Sequence, residues 1–588
     1  MDALRSRHHY SAAHIIIGLL LAALGGLVGR LVFINSHHGP SLIARAERQQ
    51  QSIVPLKHRR GLIVENTGRI VAGTLLRKSI FADPAVLPDR QMAAEKVAEI
   101  LSLGAGEMNE LAEDLLAAGD RRFYVIRRGV SNEQAELIRQ AGIHGLGLFD
   151  EPYRVYPMND LAAAVIGFVS PDGVGVSGLE YQCDHWLRGE NGLKTIIRDA
   201  RRKAFWLADG GYRAARDGFH VVLTLDAEIQ SRVERELAAA VAQYRAESGV
   251  AIVMHAKTGA ILAMANVPSF DPNNYGDYGS SRYRNRAITD PFEPGSTFKP
   301  FVAATALAEG VVRLGEVFDC ENGVFVDGKR TLHDHHRYGL LTFEDVLIKS
   351  SNIGMAKIGK KLGNTRMYQG VRAFGFGETT GVDLLGEDPG KVRPLPKWNS
   401  FTTTSVPMGH EVSVTPLQLA RAFCAFANGG RLVQPYIIRA VLSADGRLMK
   451  DFSDPPSLGQ AIPEHIAAIM KDKILVEVVN RGTGSKAQLA RYQVFGKTGT
   501  AQIAAREGGG YGKKAYVGSF VAGAPAGNPE LVVVVSITRP DPSIAYYGGT
   551  IAAPVVREIL AHALPYLQIP PERDESAAPQ ATETAGDD

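Results

Sequence analysis

Apolar residues run without a charge from position 15 to position 29, and residues 31–34 carry the run past Arg30. About 20 such residues in a helix cross the ~30 Å hydrocarbon layer of a bilayer. Residues 14–34 are therefore expected to form a transmembrane helix, with Arg30 near enough to one end to reach the headgroups. No small-residue cleavage site follows the apolar stretch, which separates it from a removed signal peptide. Arg5 and Arg7 before the span and Arg45 and Arg48 after it leave its orientation open. Residues 1–13 are then a short tail, and the rest of the chain lies on one side of the membrane.

Past this point the hydrophobic period keeps changing. Residues 36–60 are polar and basic, as in a segment emerging from a membrane. Short strand-like runs (122–127, 195–198) then alternate with helical ones (93–103, 133–141), predicting a mixed α+β module over residues 45–215. A second unit, 220–565, opens with an apolar strand at 220–226 and an amphipathic helix at 227–244. Strand candidates at 250–255 and 260–265 flank a Lys257-Thr-Gly259 turn. Late in the chain, 493–495 running into Lys497, 515–522 and 531–538 read as adjacent antiparallel strands, followed by a helix at 552–564. Residues 566–588 collapse into Ala, Thr, Pro, Glu and Asp, a composition expected to stay disordered.

At 588 residues the chain needs more than one core, and 45% hydrophobic with 22% charged residues is ordinary for folded domains. A net charge of +3, with no basic run carrying interleaved aromatics, argues against a nucleic-acid partner. Cys183, Cys320 and Cys424 are isolated, giving neither a disulfide framework nor a Cys-x-x-Cys zinc pair.

Candidate chemistry sits in three short words in fixed order: Ser296-Thr-Phe-Lys299, Ser350-Ser-Asn352 and Lys497-Thr-Gly-Thr500. Pro294-Gly295 breaks the chain ahead of Ser296, and Pro300 fits only within a first helical turn, so a helix should begin near Ser296 or Thr297. The i,i+3 spacing puts Lys299 on the face of Ser296. A serine hydroxyl needs a base to become a nucleophile, and a lysine serves only when uncharged. Burial or a neighbouring cation can depress its pKa, and Lys497 is a candidate for that cation. Ser350 is placed to relay a proton to a leaving amine, and the Asn352 amide to hold a peptide carbonyl. Gly499 would let a peptide pair with the strand edge. Lys497, Thr498 and Thr500 offer a charge and hydroxyls to a terminal carboxylate. The backbone N–H groups of Ser296 and Thr500 would form an oxyanion hole. Together these predict attack on a peptide carbonyl next to a free carboxylate, through a serine ester.

These words are the pattern of the penicillin-recognising enzymes. Over about residues 14–565 the chain resembles the class B penicillin-binding proteins, most of all their cell-division, FtsI-type branch and its sporulation relatives. The matching segments include Phe292-Glu-Pro-Gly-Ser-Thr-Phe-Lys299, Lys349-Ser-Ser-Asn-Ile-Gly354, Val414-Thr-Pro-Leu-Gln-Leu-Ala420 and Tyr547-Gly-Gly-Thr-Ile-Ala-Ala-Pro554. Arg60-Gly61, Arg154-Val-Tyr-Pro157 and Gly178-Leu-Glu180 look like the family's pedestal motifs. The resemblance implies a multidomain α/β and α+β protein: a transmembrane helix, an α+β pedestal or dimerisation-like domain, and a transpeptidase domain built on an antiparallel sheet flanked by helices. It further implies crosslinking of peptidoglycan stem peptides at a D-alanyl-D-alanine end, β-lactam binding, and a catalytic domain outside the cytoplasmic membrane. Septal wall synthesis beside a SEDS-family glycosyltransferase and division proteins follows on the same grounds. The elongation-type branch, or a non-catalytic β-lactam sensor or division scaffold, are the alternatives.

The sequence departs from the family at Glu65-Asn66, at His255 and at Gly409-His-Glu411, which bears on pedestal pairing and on the shape of the cleft wall. Cys320, His333, Asp334, His335 and His336 cluster without the ligand spacing of a closed metal site, so no metal or other cofactor is expected.

Overall fold

The computed structural model describes residues 2–39, 41–42, 51–198, 204–328, 330–504 and 511–573. By contacts the chain divides into two units, Met1–Arg59 with Gly189–Asp217 and Arg60–Arg188 with Gly218–Asp588.

The first unit holds the helix Asp2–Phe33. Within this unit Ala12–His38 form a stretch of mean hydropathy 2.3, long and apolar enough to cross a membrane, with none of its most apolar window buried in the protein. A three-stranded antiparallel sheet follows, Gln51–Leu56 pairing with Gly192–Arg198 and that strand with Ala204–Arg213. The stretch read as a segment emerging from a membrane, 36–60, thus contains a strand. Residues 51–56 gain a strand partner some 140 positions away in sequence, which local polarity does not reveal.

In the second unit the three pedestal motifs meet at one buried carboxylate. Glu180 is fully buried and accepts from Arg60 Nε at 2.6 Å and from Arg154 Nε at 2.7 Å. Tyr156 Oη donates to the same carboxylate at 3.3 Å, and Arg60 also pairs with Asp184. Arg154 donates to the Gly61 carbonyl at 2.6 Å. Gly61 has no room for a side chain, since a Cβ there would lie 1.8 Å from the Phe219 carbonyl oxygen. Neighbouring strands Ile63–Val64, Ile70–Ala82, Tyr124–Val130 and Leu146–Val155 share a sheet with His220–Leu223, Ile438–Leu442 and Leu448–Asp451. The two-residue strand Ile63–Val64 joins it by parallel pairing to His220–Leu223. Helices Arg90–Leu101, Ala105–Ala117 and Asn132–Ala141 close a small core around Val97, Leu115 and Ile138.

The departure at Glu65 is accommodated by capping. Its nearly fully buried carboxylate accepts the N–H groups of Thr67 and Arg69 at 2.9 Å and of Ala227 at 3.1 Å. Burial pushes its pKa up, but a bond from the Thr67 hydroxyl together with these N–H bonds outweighs it and holds the carboxyl below its usual range. Asn66 accepts from Arg439 at 2.8 Å.

A second sheet is five-stranded and antiparallel throughout. Its strands are β1 (Ser248–His255), β2 (Ile261–Val267), β3 (Phe495–Ala504), β4 (Tyr511–Ala524) and β5 (Leu531–Thr538), in spatial order β2-β1-β5-β4-β3. β5 is buried from Leu531 to Ile537 because both faces are covered. Helix α1 (Ala227–Gln243) covers one face, with Ile229, Val233 and Leu237 inward. The other face meets α2 (Lys299–Ala308), α3 (Asn352–Leu362) and α4 (Pro416–Ala427), whose Phe423 stacks on Phe495 of β3. Helix α5 (Ala553–Tyr566) packs with α1. Part of the segment expected to be a disordered tail is held in place: the Ile569 carbonyl accepts from Tyr492 Oη at 2.8 Å, and Glu572 accepts the Gln493 and Gly527 N–H groups at 2.6 Å. Residues 574–588 lie outside the described residues.

Replacing Glu180 by Gln leaves two buried guanidinium groups with a neutral partner. Loss of one member of such a network costs about 3–5 kcal/mol, so urea unfolding should begin at clearly lower concentration. An unchanged midpoint would show that the pedestal does not depend on this carboxylate.

Candidate active site

Ser296 stands in a 3-10 turn, Gly295–Phe298, that runs straight into α2. The helix expected from Ser296 or Thr297 takes α geometry only from Lys299. Gly295 is left-handed at φ 54°, and its N–H donates to the Gly409 carbonyl at 3.2 Å. Phe292 and Val414 exchange backbone hydrogen bonds of 2.9 Å, which fixes the approach to the serine. The departure at Gly409-His-Glu411 is absorbed here too: Glu293 accepts the Glu411 N–H and meets His410 Nδ1, both at 3.1 Å. His255 likewise finds a partner in Glu530 at 3.2 Å.

All three words converge. Lys299 and Lys497 are both fully buried. Lys299 Nζ donates to the Ser350 carbonyl at 2.5 Å and to Asn352 Oδ1 at 2.9 Å, and lies 3.2 Å from Ser350 Oγ. Lys497 Nζ reaches the same Ser350 hydroxyl at 2.9 Å. Ser350 itself is left-handed at φ 58°, a strained conformation for a residue with a side chain. That turn presents its carbonyl and hydroxyl together to Lys299. Ser296 is half-buried one turn ahead of Lys299, and its hydroxyl makes no hydrogen bond to another described residue.

Burial lowers the Lys299 pKa to about 7, against the opposing pull of Asp334. Burial also pushes Lys497 far below the ordinary lysine value, and the charge of Lys299 lowers it further. Of the two causes read from sequence, burial is thus the one that lowers Lys299. Two amines bridged by one hydroxyl titrate as a pair, because two like charges this deep and this close repel strongly.

β3 is the edge strand, with Lys497 opposite Val521 on the face turned to α2 and α3. Thr498 Oγ1 is 2.6 Å from Thr483 Oγ1. Thr500 Oγ1 accepts the Gly548 N–H at 3.1 Å, which leaves its own hydrogen free to donate. Packing within the protein also requires a glycine at 499. A Cβ there would come within 2.6 Å of Ser519 Oγ, 2.8 Å of Thr297 Cγ2 and 2.9 Å of the Pro294 carbonyl. The strand could not otherwise lie against the turn that carries Ser296.

Sequence reasoning missed Asp334 as an organiser of the site. It accepts from Ser351 Oγ at 2.6 Å, from the Ile353 N–H at 3.0 Å and from the Asn352 N–H, so it caps α3 and fixes the Ser350 turn. Asn352 Nδ2 donates to the His333 carbonyl at 3.0 Å. The His-Asp-His-His cluster, weighed above for metal, therefore braces the second word. Thr483 was also missed, as was the aromatic wall in which Tyr547 packs on Tyr546 and Tyr546 on Tyr516, each with centroids 4.3 Å apart. His335 meets Tyr547 edge-on at 5.1 Å.

Comparison with known proteins agrees with this arrangement. Residues 249–561 match the penicillin-binding protein transpeptidase domain and residues 55–223 the penicillin-binding protein dimerisation domain. The chain is 33% identical to the probable peptidoglycan D,D-transpeptidase PbpC of Pseudomonas aeruginosa, over 96% of this chain and 97% of that one. It is 31% identical to the peptidoglycan D,D-transpeptidase FtsI of Escherichia coli, over 95% and 92%. Stage V sporulation protein D of Bacillus subtilis is 32% identical over 93% and 84%. Among solved structures, penicillin-binding protein 3 of Mycobacterium tuberculosis, in complex with aztreonam, superposes with a TM-score of 0.68 at 28% identity, over 90% of this chain and 100% of that one. Fold and site define a serine-type transpeptidase. The chain belongs to the penicillin-binding protein transpeptidase family, among its class B members.

Asp334→Asn keeps the shape of the cap but removes the negative charge that holds the Lys299 pKa up. The acid limb of labelling by fluorescent penicillin should move to lower pH. A purely structural role for Asp334 predicts a loss of rate with the limb in place.

Proposed function

We propose that this transpeptidase crosslinks peptidoglycan stem peptides through an ester on Ser296, during septal wall synthesis. The reading rests above all on one observation: two buried lysines share the Ser350 hydroxyl beside the turn that carries Ser296. Lys299, uncharged, takes the proton from Ser296 Oγ as that oxygen attacks the carbonyl of the penultimate D-alanine. The backbone N–H groups of Ser296 and Thr500 hold the oxyanion, and the Asn352 amide orients the peptide. Ser350 passes a proton from the lysine pair to the departing nitrogen as its C–N bond breaks, and D-alanine leaves. An amine from a neighbouring strand then attacks the ester and gives up its proton, and Ser296 Oγ is released with a proton restored. Lys497, Thr498, Gly499 and Thr500 bind the terminal carboxylate and the donor backbone. A β-lactam follows the same first step and stays as the ester.

In this reading the apolar stretch at Ala12–His38 is a single membrane anchor. The catalytic domain lies on the periplasmic side, where its substrate is. A SEDS-family glycosyltransferase and division proteins are the partners. The curated relatives include a protein named FtsI, which favours the septal assignment over the elongation type.

Fluorescent penicillin should label the purified protein, and Ser296→Ala should abolish labelling while leaving the fold intact; a folded variant that still labels would exclude Ser296 as the nucleophile. Labelling should also rise with pH through about 7 and level off above it, because Lys299 must lose its proton to act as the base. A flat or falling profile over that range would contradict the role. Depletion in cells should give filaments, whereas rounding would assign the protein to elongation.

A further inference from the structure

One contact between two rings joins the walls of the cleft. His335 comes from the side of the second word. It follows Asp334, whose carboxylate holds the Asn352 N–H, and the His333 carbonyl two positions earlier accepts from Asn352 Nδ2 at 3.0 Å. Tyr547 comes from the side of the third word. It precedes Gly548, whose N–H donates to Thr500 Oγ1 at 3.1 Å. The two rings meet edge-on at 5.1 Å. Tyr547 keeps its proton at neutral pH, because burial and then its bond with Tyr546 push the phenol up to about 12. His335 is different. Its side chain reaches solvent, and neither imidazole nitrogen hydrogen-bonds to another described residue. Partial burial lowers its pKa, the charges of Lys299 and His336 lower it further, and Asp334 pulls the other way. At neutral pH the imidazole is therefore uncharged, with a lone pair to offer.

The second half of the reaction has a proton to place there. This argument rests on the reading of Ser296 as the residue that forms the ester. Attack of an amine on that ester is D-alanine release run backwards with a new amine. The entering nitrogen therefore comes in where the departing one went out, between the second and third words. In water an amine is an ammonium ion without a lone pair, and two protons must leave it before an amide forms. Ser350 and the lysine pair carry one of them, which ends on Ser296 Oγ. The other has to go before the nitrogen can attack. Inside the cleft the ammonium meets the desolvation that brings Lys299 down to about 7, so its own proton is loosened there. His335 lies beside this path, uncharged and in touch with water.

We infer that His335 is a catalytic residue of the second half-reaction, whose imidazole takes the first proton from the acceptor's ammonium as that group enters the cleft. Ammonium and imidazole become a neutral amine and an imidazolium, and the imidazolium passes its proton to water. The amine then attacks the ester carbon. Its second proton moves through Ser350 and the lysine pair to Ser296 Oγ as the C–O bond breaks. Water, the competing acceptor, arrives with lone pairs free and needs no such step. The test uses the full-length protein in detergent, a thiolester analogue of the donor peptide, and D-alanine as acceptor. It reads the ratio of transfer to hydrolysis, in which acylation and the lysine relay cancel. His335→Gln should lower that ratio about a hundredfold at neutral pH, the lower end of what a general base supplies. His335→Phe, which keeps a ring against Tyr547, should lower it as much. Over the neutral range, where D-alanine is still an ammonium ion, the ratio should stay level with His335 in place. In both variants it should climb about tenfold per pH unit, because the free amine then sets the rate. A ratio restored by phenylalanine would reduce His335 to packing and overturn the assignment, as would a ratio and pH profile unmoved in both variants. Either result leaves the ester chemistry standing; a protein that neither labels with penicillin nor turns over the thiolester refutes the reading of the whole site.

Discussion

Two amines, Lys299 and Lys497, are taken entirely out of water and aimed at one hydroxyl. An ammonium ion in such a place has lost its hydration, and a second one beside it adds repulsion, so the protonated pair is strongly disfavoured. That penalty is what turns a lysine into a base near neutrality. It has to be offset by the packing that holds the amines in place: β3 on the core face of the sheet, α2 sealed by Phe298 and Phe301, and the left-handed turn at Ser350. Asp334 is the opposing carboxylate, and it spends most of its hydrogen-bonding capacity on the start of α3. It therefore tempers the pKa of Lys299 without neutralising it by direct contact.

The pedestal applies the same physics to the opposite end. Arg60, Arg154 and Glu180 are buried too, but each guanidinium has a carboxylate oxygen within 2.7 Å and further carbonyl acceptors. Such a network holds its charges fixed and gives structure rather than reactivity. What separates a structural charge from a reactive one in this chain is the partner each has been given, not the depth at which it lies.

Much of this was legible in the sequence. The order of Ser296-x-x-Lys299, Ser350-x-Asn352 and Lys497-Thr-Gly, with turn-forming residues before the first and an apolar strand through the last, was enough to bring them to one place. The run Leu531–Val535 declared itself by its unbroken aliphatic character, since a central strand covered on both faces needs no polar alternation. Other features depend on partners that only the fold supplies. Asp334 looked like one member of a histidine-rich cluster, and nothing local tells that its carboxylate caps a helix starting 18 positions later. Gly499 read as an opening for substrate, and nothing local tells that Pro294, Thr297 and Ser519 also exclude a side chain there. The strand at Gln51–Leu56 was hidden for the same reason, because its pairing partner comes from far along the chain.

The mechanism depends on the ionisation of Lys299 in the folded protein. Selective 15N labelling of lysine side chains, with Lys299→Arg to assign the signal, would follow that amine directly as pH is raised. The result predicted here is loss of its charge around pH 7, well below the ordinary lysine range. A Lys299 amine that keeps its proton up to about pH 10, the value of an exposed lysine, would remove the base from the site and the mechanism with it.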